Sequence, residues 1–268
     1  MTPIGHGGGK LPRLNTVNLS SIALNFYLWK NRGFWSARGE VFDIGITTFD
    51  SINEIKEILD NGHPNDLKLL KLKASEFDNG NGSLMRIIPL LFFIIGKPIE
   101  EQFETVWEVS ALTHKHIRAA MSCMIYLKMG EFILNGLNKE KAYIETQNSI
   151  TELWKKINFE DAERIHFRNL IQKDIRNLEE DSLKSGGYVI EVLESSFYYF
   201  LKCNSYKETV LSIINIGHDT DTSAAIVGGL GGLYYGVDNI PEEWLQQIAK
   251  YNDIENLAER LNEKITSQ

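Results

Sequence analysis

Two aspartates and two threonines stand together at residues 219–222, in the stretch GHDTDTSAAIVGGLGGLYYG that runs from Gly217 to Gly236. Residues two apart do not share a helix face. Both carboxylates therefore converge only if Asp219 lies in the turn before a helix, with Asp221 and Thr222 in its first turn. Carboxylates held that close repel one another. A hard divalent cation such as Mg²⁺ or Mn²⁺ selects oxygen ligands and relieves the repulsion. The same residues also satisfy a plainer role, because Asp is a favoured N-cap and first-turn residue. Gly228, Gly229, Gly231 and Gly232 follow, and each weakens a helix by up to about 1 kcal/mol relative to alanine. They make sense in a central helix whose neighbours approach its backbone closely.

Four other groups carry chemistry-bearing side chains. Asn79-Gly80-Asn81-Gly82-Ser83 reads as a flexible turn into a helix, whose amides can face an anion; a plain Asn-Gly turn capped by Ser83 fits equally. His114 follows Thr113 at a helix junction, placed to donate to a phosphate or to cap a helix, and His116 is expected to be peripheral. Ser185-Gly186-Gly187-Tyr188 precedes an apolar helix, either as the edge of a pocket with Tyr188 as a wall or as a tight turn with a core tyrosine. Asp43, in FDIG, either supports a site from behind or forms a turn. Met85 and Arg86 are expected to pack, or to pair with a neighbouring carboxylate, rather than touch a ligand.

Helices must position these residues. Apolar periodicity predicts helices near 18–30, 51–60, 83–95, 99–112, 116–134, 139–156, 188–202 and 206–215, with a final stripe from Trp244 through Ile248, Tyr251, Ile254, Leu257 and Leu261 to Ile265, opened by Pro241. Strict two-residue alternation is missing, and Asn-Gly pairs punctuate the helices. The expectation is one all-α domain over 16–268, with 1–15 disordered or atypical. An apolar fraction of 43% and a charged fraction of 24% are ordinary for a globular protein. A net charge of −8 and scattered Lys and Arg argue against nucleic acid. The run Ile87–Ile95 contains Pro89, is too short to span a bilayer, and reads as a buried helix. Cys123 and Cys203 fit neither a zinc spacing nor a disulfide framework, and with no apolar leader at the N-terminus a reducing cytoplasm is expected. GHGGGK at 5–10 lacks the first glycine and final Ser or Thr of a phosphate loop. His6, His63 and His166 are expected at the surface or in turns.

Several segments, in order, resemble the ADP-ribosylglycohydrolase family: RGEVFDIGITT at 38–48, DNGNGSLMRIIPL at 78–90, ALTHKH at 111–116, SGGYVIEVLESSFYYFL at 185–201, and the Asp-Thr-Asp-Thr at 219–222. The resemblance implies a compact all-helical domain and cleavage of the glycosidic bond between ADP-ribose and a modified side chain or small conjugate, assisted by two Mg²⁺ or Mn²⁺ ions. It assigns Asp219, Asp221 and Thr222 to metal, and Asn79, Gly80, Asn81, Gly82, Ser83, His114, Ser185, Gly186, Gly187 and Tyr188 to substrate. The 79–83 loop would lie along the diphosphate and the 185–188 turn beside the distal ribose, with Asp43 in support. Family enzymes also carry an N-terminal Gly-Asp segment, a catalytic acid, and a Thr-Asp-Asp or Asp-Asp-Thr metal motif. None is found here, so half a binuclear site is expected, with no assigned catalytic residue and an N-terminally incomplete domain. A complementing segment or self-association is the corresponding partner expectation. The alternatives are a catalytically impaired ADP-ribose-binding module and a structural protein without ligand.

Overall fold

The computed structural model describes residues 17–267. Among them are thirteen α-helices and no named strand: α1 (Leu19–Arg32), α2 (Ile46–Asp60), α3 (Leu91–Ile94), α4 (Ile99–Ala111), α5 (Ile117–Leu134), α6 (Lys139–Lys156), α7 (Asp161–Arg164), α8 (Arg168–Ile171), α9 (Val189–Lys202), α10 (Tyr206–Ile214), α11 (Thr220–Tyr235), α12 (Glu242–Leu245) and α13 (Tyr251–Thr266). The all-α expectation holds.

α5 is the axis of the core. Residues 119–131 are buried without interruption, as expected of a helix apolar on every side. α4, α6, α9 and α11 pack around it. Polar side chains fix several helix starts: Asn18 accepts from Ser21 N–H, Asn138 from Lys141 N–H and Ser205 from Glu208 N–H.

The glycines of α11 allow the predicted close approach at three of four positions. A Cβ on Gly229 would lie 2.4 Å from the Tyr126 hydroxyl, and Gly228 and Gly231 face Tyr206 at 3.1 Å, whereas Gly232 has nothing within 4 Å. The Tyr126 hydroxyl donates to the Ile226 carbonyl at 2.7 Å, tying α5 to α11. Gly229→Ala must displace that tyrosine. An overpacked core site costs about 1–3 kcal/mol, so its urea midpoint should fall well below that of the wild type, while Gly232→Ala should not fall.

Two predicted helices differ. The 83–95 segment is largely buried, with Met85 and Pro89 exposed, but it is built from 3-10 turns at Leu84–Arg86 and Ile88–Leu90 followed by the single turn α3. Pro89 supplies no N–H to an α-ladder, so the chain tightens there. The final stripe is split between α12 and α13, because Lys250 is left-handed (φ 61°) and cannot continue a right-handed helix. Ile265 is the one fully buried residue of α13, and Ile254 and Leu257 are each 47% exposed. Cys123 and Cys203 are free and buried, and His63 and His166 are exposed. GHGGGK and His6 lie outside the described residues. No helix among those described is long and apolar enough to cross a membrane.

Candidate functional site

Three separated segments meet at the head of α11. Gly217 and His218 are both left-handed, at φ 86° and 60°, which swings the chain sharply into the helix. Asp219 takes the N-cap position, yet its carboxylate makes no capping bond. It accepts instead from the Asn81 side-chain amide at 2.7 Å. The same Asn81 amide donates to the Gly186 carbonyl at 3.2 Å, and Asn81 N–H donates to the Gly187 carbonyl at 3.0 Å. Val189 N–H donates to the Asn79 carbonyl and Asp219 N–H to the Ser185 carbonyl, while the Ser185 hydroxyl donates to the Gly217 carbonyl at 2.5 Å. Gly80 and Tyr188 thereby form an isolated antiparallel bridge. The 79–83 loop, the 185–188 turn and the 217–219 turn are one hydrogen-bonded unit. The plain helix-cap role for Asp219 is not the one adopted.

Asp221 is exposed and Thr222 is 6% exposed, its hydroxyl 4.0 Å from the Met85 sulfur. Neither aspartate is in an ion pair among the described residues. Asp219, Asp221 and Thr222 would together offer two carboxylates and one hydroxyl, all oxygen, the ligand type that a hard cation prefers. No group of three or more His, Cys, Asp or Glu side chains placed to hold a metal occurs among the described residues.

The loop rests on a polar floor. The Ser83 side chain is fully buried and points inward, accepting from the Ser110 hydroxyl at 3.0 Å with the Cys123 sulfur at 3.6 Å; it caps no helix. His114 is 4% exposed. Its ring lies directly against two glycines: a Cβ on Gly80 would stand 2.9 Å from Nε2, and one on Gly82 2.7 Å from Cε1. The Nδ1 atom is 2.8 Å from the Thr113 hydroxyl. Asn79 donates to the Glu76 carbonyl, and its Oδ1 is buried without a partner. Gly80, Gly82 and Ser83 N–H make no hydrogen bond among the described residues. Tyr188 is half-buried against the core.

Arg86 takes the first of the two roles expected of it, packing rather than pairing. It pairs with no carboxylate among the described residues; its guanidinium donates to the Gly82 carbonyl and the Thr113 hydroxyl and lies 4.7 Å over the Phe26 ring. Burial lowers it to about 10, so it stays charged at neutral pH. Asp43 is exposed and bonds to none of these residues, so the structure does not bring it into the group. His116 stands apart, its Nδ1 accepting from Arg118 N–H at the start of α5. Sequence reasoning missed Ser110 and Thr113 as supports; the one signal available was their place in the turn of chain leading to His114.

Burial first, and the Arg86 charge second, hold His114 down to about 3 from 6.5. Between these values the unfolded chain is protonated at this residue and the folded chain is not. Stability therefore falls as pH drops from about 6.5 towards 3, by up to about 1.4 kcal/mol per pH unit. Urea unfolding from pH 7 to 4.5 should show this slope, and His114→Gln should flatten it.

The sequence matches the ADP-ribosylglycohydrolase family over residues 6–268, and the chain belongs to that family. The match starts upstream of the boundary near residue 16 read from the sequence. The ADP-ribosylarginine hydrolase Tri1 of Serratia proteamaculans is 27% identical over 239 residues, covering 87% of this chain and 58% of the relative. The ADP-ribosyl-[dinitrogen reductase] glycohydrolase of Rhodospirillum rubrum is 26% identical over 174 residues, covering 65% of this chain and 52% of the relative. The chain thus spans little more than half the length of these curated relatives. A solved structure titled an ADP-ribosylglycohydrolase-related protein complex superposes with a TM-score of 0.66 at 21% identity, over 90% of this chain and 72% of that one, which shows a shared fold.

Proposed function

We propose that this chain binds the ADP-ribose part of ADP-ribosylated side chains or small conjugates at the joined 79–83, 185–188 and 219–222 segments, as part of a metal-assisted glycosidic hydrolase. The observation that carries the reading is the bond from Asn81 to Asp219. A carboxylate at a helix head that leaves its cap and reaches across to an Asn-Gly loop couples an acidic cluster to an amide-lined turn. The unpartnered N–H groups of Gly80, Gly82 and Ser83 suit a diphosphate. Asp219, Asp221 and Thr222 would hold Mg²⁺ or Mn²⁺, which when bound supplies Lewis-acid stabilisation of developing charge.

The remaining roles belong to the chain. The loop orients the diphosphate, and Asn81 holds Asp219 in place. Tyr188 walls the turn beside the sugar. Both carboxylates of the group are committed to the ion, which leaves none there to move a proton. General acid–base help is worth about 10²–10⁴-fold, so binding without fast turnover is expected of the chain alone. Calorimetry with ADP-ribose, with and without Mn²⁺, tests the reading alongside hydrolysis of an ADP-ribosyl-arginine peptide. Metal-enhanced ADP-ribose binding supports it; no binding at millimolar ligand sinks it. Robust turnover by the chain alone, abolished in Asp221→Ala, would show that a residue here moves the proton.

A further inference from the structure

We propose that Arg86 and Thr113 are positioning residues that lock His114 in its Nε2–H tautomer and aim that N–H, between Gly80 and Gly82, at an oxygen of the bound ligand. The proposal rests on the reading that the 79–83 loop takes ADP-ribose.

The direction of the relay follows from donor and acceptor counts. A guanidinium has only N–H donors and no acceptor. Its bond to Thr113 therefore uses an oxygen lone pair of that hydroxyl. The hydroxyl has one further partner among the described residues, His114 Nδ1 at 2.8 Å. The hydroxyl hydrogen is satisfied only if it points at Nδ1, which makes Nδ1 the acceptor. A neutral imidazole carries its single proton on the other nitrogen, and the burial and charge described above keep this ring neutral. The backbone that carries the ring is anchored on both sides. His114 N–H donates to the Ser110 carbonyl at 2.8 Å and its own carbonyl accepts from the Ser110 hydroxyl at 3.1 Å.

Nε2 is left as a donor without a partner among the described residues, on a side chain more than nine-tenths buried. The atoms it faces are the two glycines, at 2.9 Å from the Cβ position of Gly80 and 3.2 Å from that of Gly82. A side chain at either glycine would collide with the ring, so only glycine at both positions leaves the Nε2 edge uncovered by the loop. The Gly82 carbonyl, held by Arg86, keeps the loop in register with the ring.

Long-range ¹H–¹⁵N correlation on the histidine-labelled full chain reads the tautomer directly, with His114→Gln assigning the signal. The wild type should show Nε2 protonated and Nδ1 bare. In Thr113→Val the two nitrogens should move towards a mixed state, and ADP-ribose affinity should fall about tenfold. Thr113→Ser should restore both, a rescue that a purely steric role would not predict. If Thr113→Val does not fold, the wild-type spectrum still decides: an Nδ1–H tautomer overturns the relay. An unchanged His114 spectrum in folded Thr113→Val also overturns it. A wild-type chain with the Nε2–H tautomer but no ADP-ribose binding would overturn the ligand assignment and the target of the N–H, while leaving the relay standing.

Discussion

Asp219→Ala should abolish Mn²⁺ binding and loosen the loop in the same step. The carboxylate is at once a candidate metal ligand and the acceptor of the Asn81 amide at 2.7 Å. Loss of a group merely outside a metal's ligand shell costs about 10–100-fold in affinity, so loss of a direct ligand should cost at least about 100-fold. The hydrogen bond to a charged acceptor contributes a further 1.5–3 kcal/mol or so to holding the three segments together. Asp219→Asn separates the two effects, because a neutral amide oxygen still accepts from Asn81 but binds a divalent ion poorly. Calorimetry should find Mn²⁺ binding lost in both variants, and thermal unfolding should show the larger fall for Asp219→Ala. Unchanged Mn²⁺ affinity in the Asp219→Ala, Asp221→Ala double variant would rule the site out.

Gly82→Ala should be nearly as damaging, without touching any polar atom. The new methyl would sit 2.7 Å from Cε1 of His114 and 3.5 Å from the Thr48 hydroxyl. The ring is tied to Thr113 through Nδ1, so the clash is expected to lift the loop. An overpacked site costs about 1–3 kcal/mol, and lifting the loop also displaces the Gly82 and Ser83 N–H groups from the anion's path. ADP-ribose affinity should drop by two orders of magnitude or so, by analogy with the roughly 10²-fold penalty for a 1 Å misplacement at a working site. Gly80→Ala, at 2.9 Å from Nε2, should follow in the same direction. Retained ADP-ribose binding in folded Gly82→Ala would place the ligand elsewhere.

Much of this was legible in the residues, for identifiable reasons. The helical period survives wherever one element buries one face, as in α4 and α6. The glycine pattern of α11 announced close neighbours because glycine has few other uses inside a helix. Periodicity failed at Pro89, where the apolar spacing is the same for a 3-10 turn as for a buried helix. It failed again at Lys250, where a single left-handed residue broke a stripe that the hydrophobic residues themselves continued. Within the site, the sequence located the loop, the turn and the acidic cluster, but not which way each side chain points. Ser83 and His114 turn inward, and Arg86, expected to pack or to pair with a carboxylate, packs on Phe26 and donates to a carbonyl and a hydroxyl. Such partners are set by packing across α4, α5 and the loop, and one chain read in order carries no record of that contact.

The last helix gives the chain two separate stabilities. α13 makes its own backbone bonds but fully buries only Ile265, so its opening costs little more than local helix–coil free energy, while α5 opens only with the whole core. Amide protons of α13 should exchange on a timescale set by fraying, and those of residues 119–131 on one set by global unfolding. A ligand at the head of α11 raises the second and leaves the first where it was. The difference between the two exchange rates is thus an internal gauge of binding, read from a single sample without any activity assay.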